Sequence, residues 1–293
     1  MANANGWGDG ASNNNIGWGK GADNAIGWGD IHADSWAGAT DIVGTPAVDP
    51  DAQAFITAAA ITDPTQQAAI NTLVTDLKGY SLWTPIKALY PFVGGTASQH
   101  KFNLKNPLDT DAAFRLVFNG GWTHSSTGAL PNGTNGWANT YLVAQGTLGL
   151  NSTHVSVYSR TNNNSQNAPA IGNVTGGSIA EVSMWLNFGN TAYLRVNNAT
   201  VSSTANFDSR GMFIGNRNSS TQINLSIRGT QTTFNQNSNS LLTNPFQLGG
   251  VNPNNFDNKQ IAFASIGDGL TAQNMTDLNT AVVAFQTALS RNV

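Results

Sequence analysis

Glu181 is the only glutamate in the 293-residue chain, and that count limits the chemistry available to it. Glycoside hydrolysis needs two carboxylates facing one sugar bond. Ala180, Val182, Ser183 and Met184 around Glu181 supply no second acid and no Glu-x-Asp-x-x-Glu pattern. Glu181 therefore reads as an isolated strand carboxylate, and neither catalytic residues nor enzymatic activity are expected. The histidines at 32, 100, 124 and 154 stand singly, without a His-Glu-x-x-His motif or other metal-ligand spacing. His124 adjoins Ser125 and Ser126, but no Gly-x-Ser-x-Gly elbow exists to make a nucleophile of either. With no cysteine, the chain has no thiolate ligand, no thiol nucleophile and no disulfide framework.

Asp109-Thr110-Asp111 could join a calcium site if loop carbonyls converged there, or be a solvated turn with an Asp cap. Gly94-Gly95 and Gly249-Gly250 lack the lysine that would follow in a phosphate loop. No metal and no cofactor are expected. Exposed indoles can stack on sugar rings, so Trp122 and Trp137, in a Gly/Asn-rich stretch from Gly120 to Trp137, are the candidate glycan-binding residues. Both could equally be core residues beneath a long loop.

The elements that would carry these residues begin with a repeat. Trp7, Trp18 and Trp28 each stand in a Gly-Trp-Gly unit, and Trp36 marks a degenerate fourth, at steps of 11, 10 and 8 residues. In an extended backbone the indole points one way while its flanking glycines leave the other face bare for a second backbone. Such a segment has too little apolar surface to offset the cost of ordering its glycines and asparagines. Residues 1–45 are therefore expected to be an anchor or stem ordered by sister copies or a larger assembly, with Trp7, Trp18, Trp28 and Trp36 as the partner-binding residues. A Gly/Asn-rich tail without function is the alternative.

Residues 46–53, with prolines at 46 and 50, read as a linker, and residues 54–293 as the body. A helix is expected after Asp63, capped there and stopped at Gly79, with Ala69, Ile70, Leu73, Val74 and Leu77 as its apolar stripe. A second is expected after Thr271, with Met275, Leu278, Val282, Phe285 and Leu289 as its seam. That seam packs on the body or, as a weaker alternative, forms a trimeric coiled coil. Between them, short strands are expected at 100–104, 114–119, 140–142, 154–159, 180–186, 192–196, 211–214, 222–227 and 259–266, spaced as in a sandwich or barrel.

Only 10% of residues are charged, against about a quarter in ordinary soluble domains, and the net charge is −3. Without a run of Lys or Arg, binding of nucleic acid through phosphates is not expected. No basic stretch leads into an apolar core with a cleavage site, and no window holds the ~18 apolar residues of a membrane span. Ordinary secretory export and membrane insertion are not expected.

Gly211-Met-Phe-Ile-Gly-Asn-Arg217 followed by Ile223-Asn-Leu-Ser-Ile-Arg-Gly229 resembles the paired strands of laminin-G-like, concanavalin A-like jelly rolls. Lys259 to Leu270, running into Thr271 and a helix, resembles the closing strand and helix of such domains. Residues 54–160, with Thr62-Asp-Pro-Thr-Gln-Gln67 and Phe118 to Ser125, are similar to structural proteins of tailed bacteriophages, and the Gly-Trp-Gly units to N-terminal segments of virion proteins from phages of Bacteroidota. The resemblance implies a mainly β fold, a concanavalin A-like jelly-roll sandwich with two peripheral helices behind an extended Gly/Trp/Asn segment. It implies a structural component of a phage particle, a fibre, spike or decoration protein located on the virion. Its partners would be capsid, neck or tail proteins and sister copies in a homotrimer. A glycan-binding module for host-surface attachment is the alternative function. The fold itself hosts lectins, enzymes and inert scaffolds alike.

Overall fold

The computed structural model describes residues 48–173, 181–251 and 254–293. Trp7, Trp18, Trp28 and Trp36 lie outside the described residues.

The first described element is helix α1, Pro50–Ala58, so the chain is already helical within the stretch expected as a linker. Asp49 accepts from the Asp51 backbone N–H at 2.9 Å and Pro50 occupies the first turn, where its missing N–H costs nothing. Asp63–Pro64 repeats the same cap at the start of α2, Pro64–Gly79. Lys78 near the end of α2 donates to Asp49 at 2.7 Å and binds the two helices together. A short α3 spans Ala97–His100, and the closing helix α4 spans Ala272–Ala288. Thr271 caps α4 in a reciprocal capping box with Asn274.

Among the described residues, one sheet joins β1 (Ile86–Tyr90), β3 (Trp122–Ser125), β4 (Gly128–Pro131), β6 (Thr153–Ser159), β11 (Gly211–Arg217), β12 (Gln222–Ile227), β13 (Thr230–Asn235) and β17 (Ile261–Gly267). The other joins β2 (Val117–Asn119), β5 (Trp137–Val143), β7 (Ile171–Asn173), β8 (Glu181–Phe188), β9 (Thr191–Asn198), β10 (Ser202–Ala205) and β14 (Pro245–Leu248). A small hairpin of β15 (Gly250–Val251) and β16 (Asn255–Phe256) follows. Pairing is antiparallel throughout, and the order of strands is that of a jelly-roll-like sandwich.

Two apolar cores explain the burial of each strand. Val157, Phe213 and Ile266 of the first sheet meet Leu142, Met184, Leu194 and Phe246 of the second. On the far side of the first sheet, Tyr158, Met212, Ile214 and Phe263 meet Phe55, Ile70, Leu73, Val282 and Phe285 of the helices. Strands β6, β11 and β17 are therefore buried along their whole length, with no alternation. In the second sheet, β5 alternates strictly and β9 nearly so, with the core under one face, whereas Ser183 of β8 is buried on the side away from that core.

Residues 100–104, expected as a strand, instead end α3 and enter a turn. The buried Asn103 amide accepts from the Leu89 N–H at 2.9 Å and donates to the Ala113 carbonyl at 3.0 Å, doing for the backbone there what a strand would have done. The α4 seam packs on the body: Met275, Leu278, Val282 and Phe285 are buried against α2 and the first sheet.

Candidate binding face

The face of the second sheet away from the shared core is where polar and aromatic side chains collect. Met184 and Leu194 are cross-strand partners that point into the core. Their neighbours Ser183, Trp185, Tyr193 and Arg195 point the other way. The register continues across the sheet as Val117, Asn139, Gln247, Gly172, Ser183 and Arg195, one residue per strand. Gly172 and Ser183 in the middle of this row are buried, while Arg195 and Gln247 on either side are half-buried.

On β8 and β9 the side chains form a connected group. Arg195 pairs with Glu181, and its guanidinium carbon lies 5.3 Å from the centre of the Trp185 ring. Tyr193 meets Trp185 edge to face, with centroids 6.4 Å apart. The Ser183 hydroxyl donates to Glu181 at 3.4 Å. Burial pushes the Glu181 carboxyl above the usual carboxylate range, against the opposing pull of Arg195 and Ser183. Several buried polar atoms of these two strands have no hydrogen-bond partner: Trp185 Nε1, Arg195 Nε, and both amide atoms of Asn187. Buried donors and acceptors are normally satisfied, and this unpaired set is an exception to that rule.

The two tryptophans expected from sequence lie in different settings. Trp122 is half-buried. Its indole N–H donates to the carbonyls of Asn119 at 3.1 Å and Trp137 at 3.3 Å, and its ring meets Phe118 edge to face with centroids 5.2 Å apart. The ring also fills the space over Gly249, where a Cβ would come within 2.5 Å of it. Its polar handle and its faces are thus engaged by protein. Trp137, half-buried in β5, alternates with the core residue Ala138 and so lies on the side away from the core, paired with Asn119.

Asp109 and Asp111 are engaged by Arg115 at 2.8 and 2.9 Å, and Asp109 also by Lys101, so cations of the chain itself occupy the carboxylates considered for calcium. No group of three or more metal-ligating side chains occurs among the described residues. His100 and His124, single in sequence, meet through their Nδ1 atoms at 2.9 Å. Burial, then the nearby His124 and Arg291, push His100 down to about 3. His154 is fully buried at the junction of β6 and β17.

Trp185, Tyr193 and Arg195 escaped the sequence reading. The signal was present in Tyr193 and Arg195, which alternate with Ala192, Leu194 and Val196.

No protein-family profile matches the sequence, and no curated protein matches it. Solved structures do share its fold. Trypanosoma rangeli sialidase in complex with sialic acid aligns over 72% of this chain and 38% of that one, at 9% identity and a TM-score of 0.50. Domain 4 of AbnA, a GH43 extracellular arabinanase from Geobacillus stearothermophilus in complex with arabinotriose, aligns over 67% and 98%, at 12% identity and 0.48. The botulinum neurotoxin serotype D binding domain aligns over 68% and 52%, at 11% and 0.44. At such identities the likeness is one of fold.

Proposed function

We propose that the chain is a non-catalytic module that binds glycans, used for attachment to a host or cell surface. The observation that supports this is the group on β8 and β9. An indole and a phenol lie beside a carboxylate–guanidinium pair, with unpaired donors and acceptors among them. Sugars present apolar C–H faces ringed by hydroxyls that both donate and accept, and this combination of side chains suits them. A single carboxylate already held by Arg195 argues for binding rather than hydrolysis. The test is a glycan array probed with the full chain and with Trp185→Ala. Signal from the native chain that the variant loses supports the proposal, and silence across the array rejects it.

The second reading is a structural component of a phage particle, attached through the Gly-Trp-Gly units of residues 1–45. Their regular indoles favour it, since a solvated tail has no use for them. The two readings are compatible, because a virion protein can carry a glycan-binding body. Deleting residues 1–45 should leave a folded protein that no longer joins particles; incorporation at normal copy number would reject the attachment role.

A further inference from the structure

We infer that the ligand is a linear, uncharged oligosaccharide lying along β10 from Tyr193 to Phe207, an inference that rests on glycan recognition by the same face. Phe207 is 73% exposed, the most exposed large apolar side chain among the described residues. The chain around it is firmly held. Asn206 is buried; its side chain donates to the carbonyls of Leu186 at 2.7 Å and Asp208 at 2.8 Å, and its N–H donates to Asn190 at 2.9 Å. Ser209, also buried, donates to the Thr161 carbonyl and accepts from the Asn163 N–H, each at 2.8 Å. A phenyl ring fixed in water between two anchored residues presents a preformed contact.

Ser203 and Ala205 lie opposite Tyr193 and Thr191, on the side away from the core, and both are exposed. Strand β10 ends at Ala205, and Phe207 follows two residues on, exposed in a bend beyond buried Asn206. Thr191, Ser203 and Ala205 share the side of Tyr193 from there to the end of β10. One strand spacing and two residues of rise put the Ala205 Cα about 8 Å from that of Tyr193, and the two further residues to Phe207 extend the reach to at most about 14 Å, longer than one sugar ring. That span suits a chain of several residues, stacked at both ends over a floor of small side chains.

The absence of net charge in the ligand follows from the pairing of ions at either end. Glu181 neutralises Arg195, and Asp208 neutralises Arg210 at 2.8 Å. Arg228 turns its guanidinium to the Asp208 and Arg210 carbonyls and to Asn206. Among the described residues here, Arg195, Arg210 and Arg228 all have protein partners, which leaves none of them free to receive a carboxylate or sulfate.

The test uses the full chain on immobilised glycans, with linear neutral oligosaccharides from two to six residues alongside branched neutral, sialylated and sulfated ones. Titration calorimetry then follows the best-bound series. Affinity should rise with length among linear neutral ligands. Phe207→Ala should weaken the hexasaccharide by about tenfold while leaving the disaccharide unchanged. Ala205→Glu, at an exposed position, should abolish the gain with length. Binding that is indifferent to length or to Phe207, or that is confined to anionic glycans, overturns this inference and leaves glycan recognition standing. No signal on any glycan overturns both.

Discussion

Arg217 donates from Nε to the Val196 carbonyl at 2.8 Å, and this bond ties the end of β11 in one sheet to β9 in the other. The same guanidinium donates to the Gln236 carbonyl at 2.8 Å and to Ser219 at 3.1 Å, and no carboxylate faces it. Burial lowers its pKa to about 10, still protonated at neutral pH. Strand β9 carries Tyr193 and Arg195 on its other side, so the rivet that joins the sheets also steadies the candidate face.

Replacing Arg217 with methionine should keep the volume and leave the Val196 and Gln236 carbonyls unpaired. The expected loss is about 2–4 kcal/mol of stability, seen as a lower urea midpoint. Glycan binding by the fraction that remains folded should weaken as well, since the register of β9 loses its tie.

Trp122→Ala and Trp185→Ala should separate structure from recognition. The first removes a ring packed over Gly249 and against Phe118, and should cost about 3 kcal/mol in a melt with glycan affinity retained. The second should leave the melt nearly unchanged and weaken the ligand about tenfold or more. Equal effects of the two on binding would reject this assignment of roles.

Phe55→Ala, beneath the helices, should destabilise by about 3–5 kcal/mol, because the buried ring joins α1 to α2 and the first sheet. The candidate face lies on the opposite side of the sandwich. Below the melting transition, calorimetry should find ligand affinity equal to that of the native chain.

Stability should fall with acidification because of His154. Its Nδ1 lies 2.6 Å from the Asp268 carbonyl, which can only accept, so Nδ1 carries the proton. Nε2 therefore accepts from Ser265, 3.1 Å away, which in turn can accept from Ser156 at 2.6 Å. Burial holds His154 down to about 4 in the folded chain, against 6.5 when free. The stabilisation is complete above pH 6.5 and is lost as pH falls toward 4, by about 3 kcal/mol. His154→Asn keeps a donor for Asp268 and cannot titrate, so its denaturation midpoint should depend less on pH across that window.

The residues that reveal their structure in sequence are those with a strong local code. Asp63–Pro64 and Thr271 announced the starts of α2 and α4, and the strand expected at 211–214 falls within the longer β11. Asp49–Pro50 carries the same cap, but a second proline at 46 made the stretch look like a linker. Strands β10 (Ser-Ser-Thr-Ala) and β13 (Thr-Gln-Thr-Thr-Phe-Asn) were missed because their side chains are mostly polar and they lie at sheet edges, where little apolar pattern is required. The candidate face was hidden for a different reason. Glu181, Ser183 and Asn187 are buried as deeply as Val182 and Met184, so β8 shows no contrast between its sides. The meeting of Trp185 with Arg195 depends on pairing between strands, which a single sequence does not display. Trp122 stands in β3 although glycines and Asn-Gly steps surround it as in a loop.

The two faces of the sandwich also differ in how freely their side chains can change over generations. Strands β6, β11 and β17 are hemmed in on both sides, so nearly every replacement there disturbs packing. The outward positions of β9 and β10 answer to no core, and substitutions at them leave folding largely intact. A lineage can therefore redraw this surface one residue at a time while keeping the scaffold beneath it.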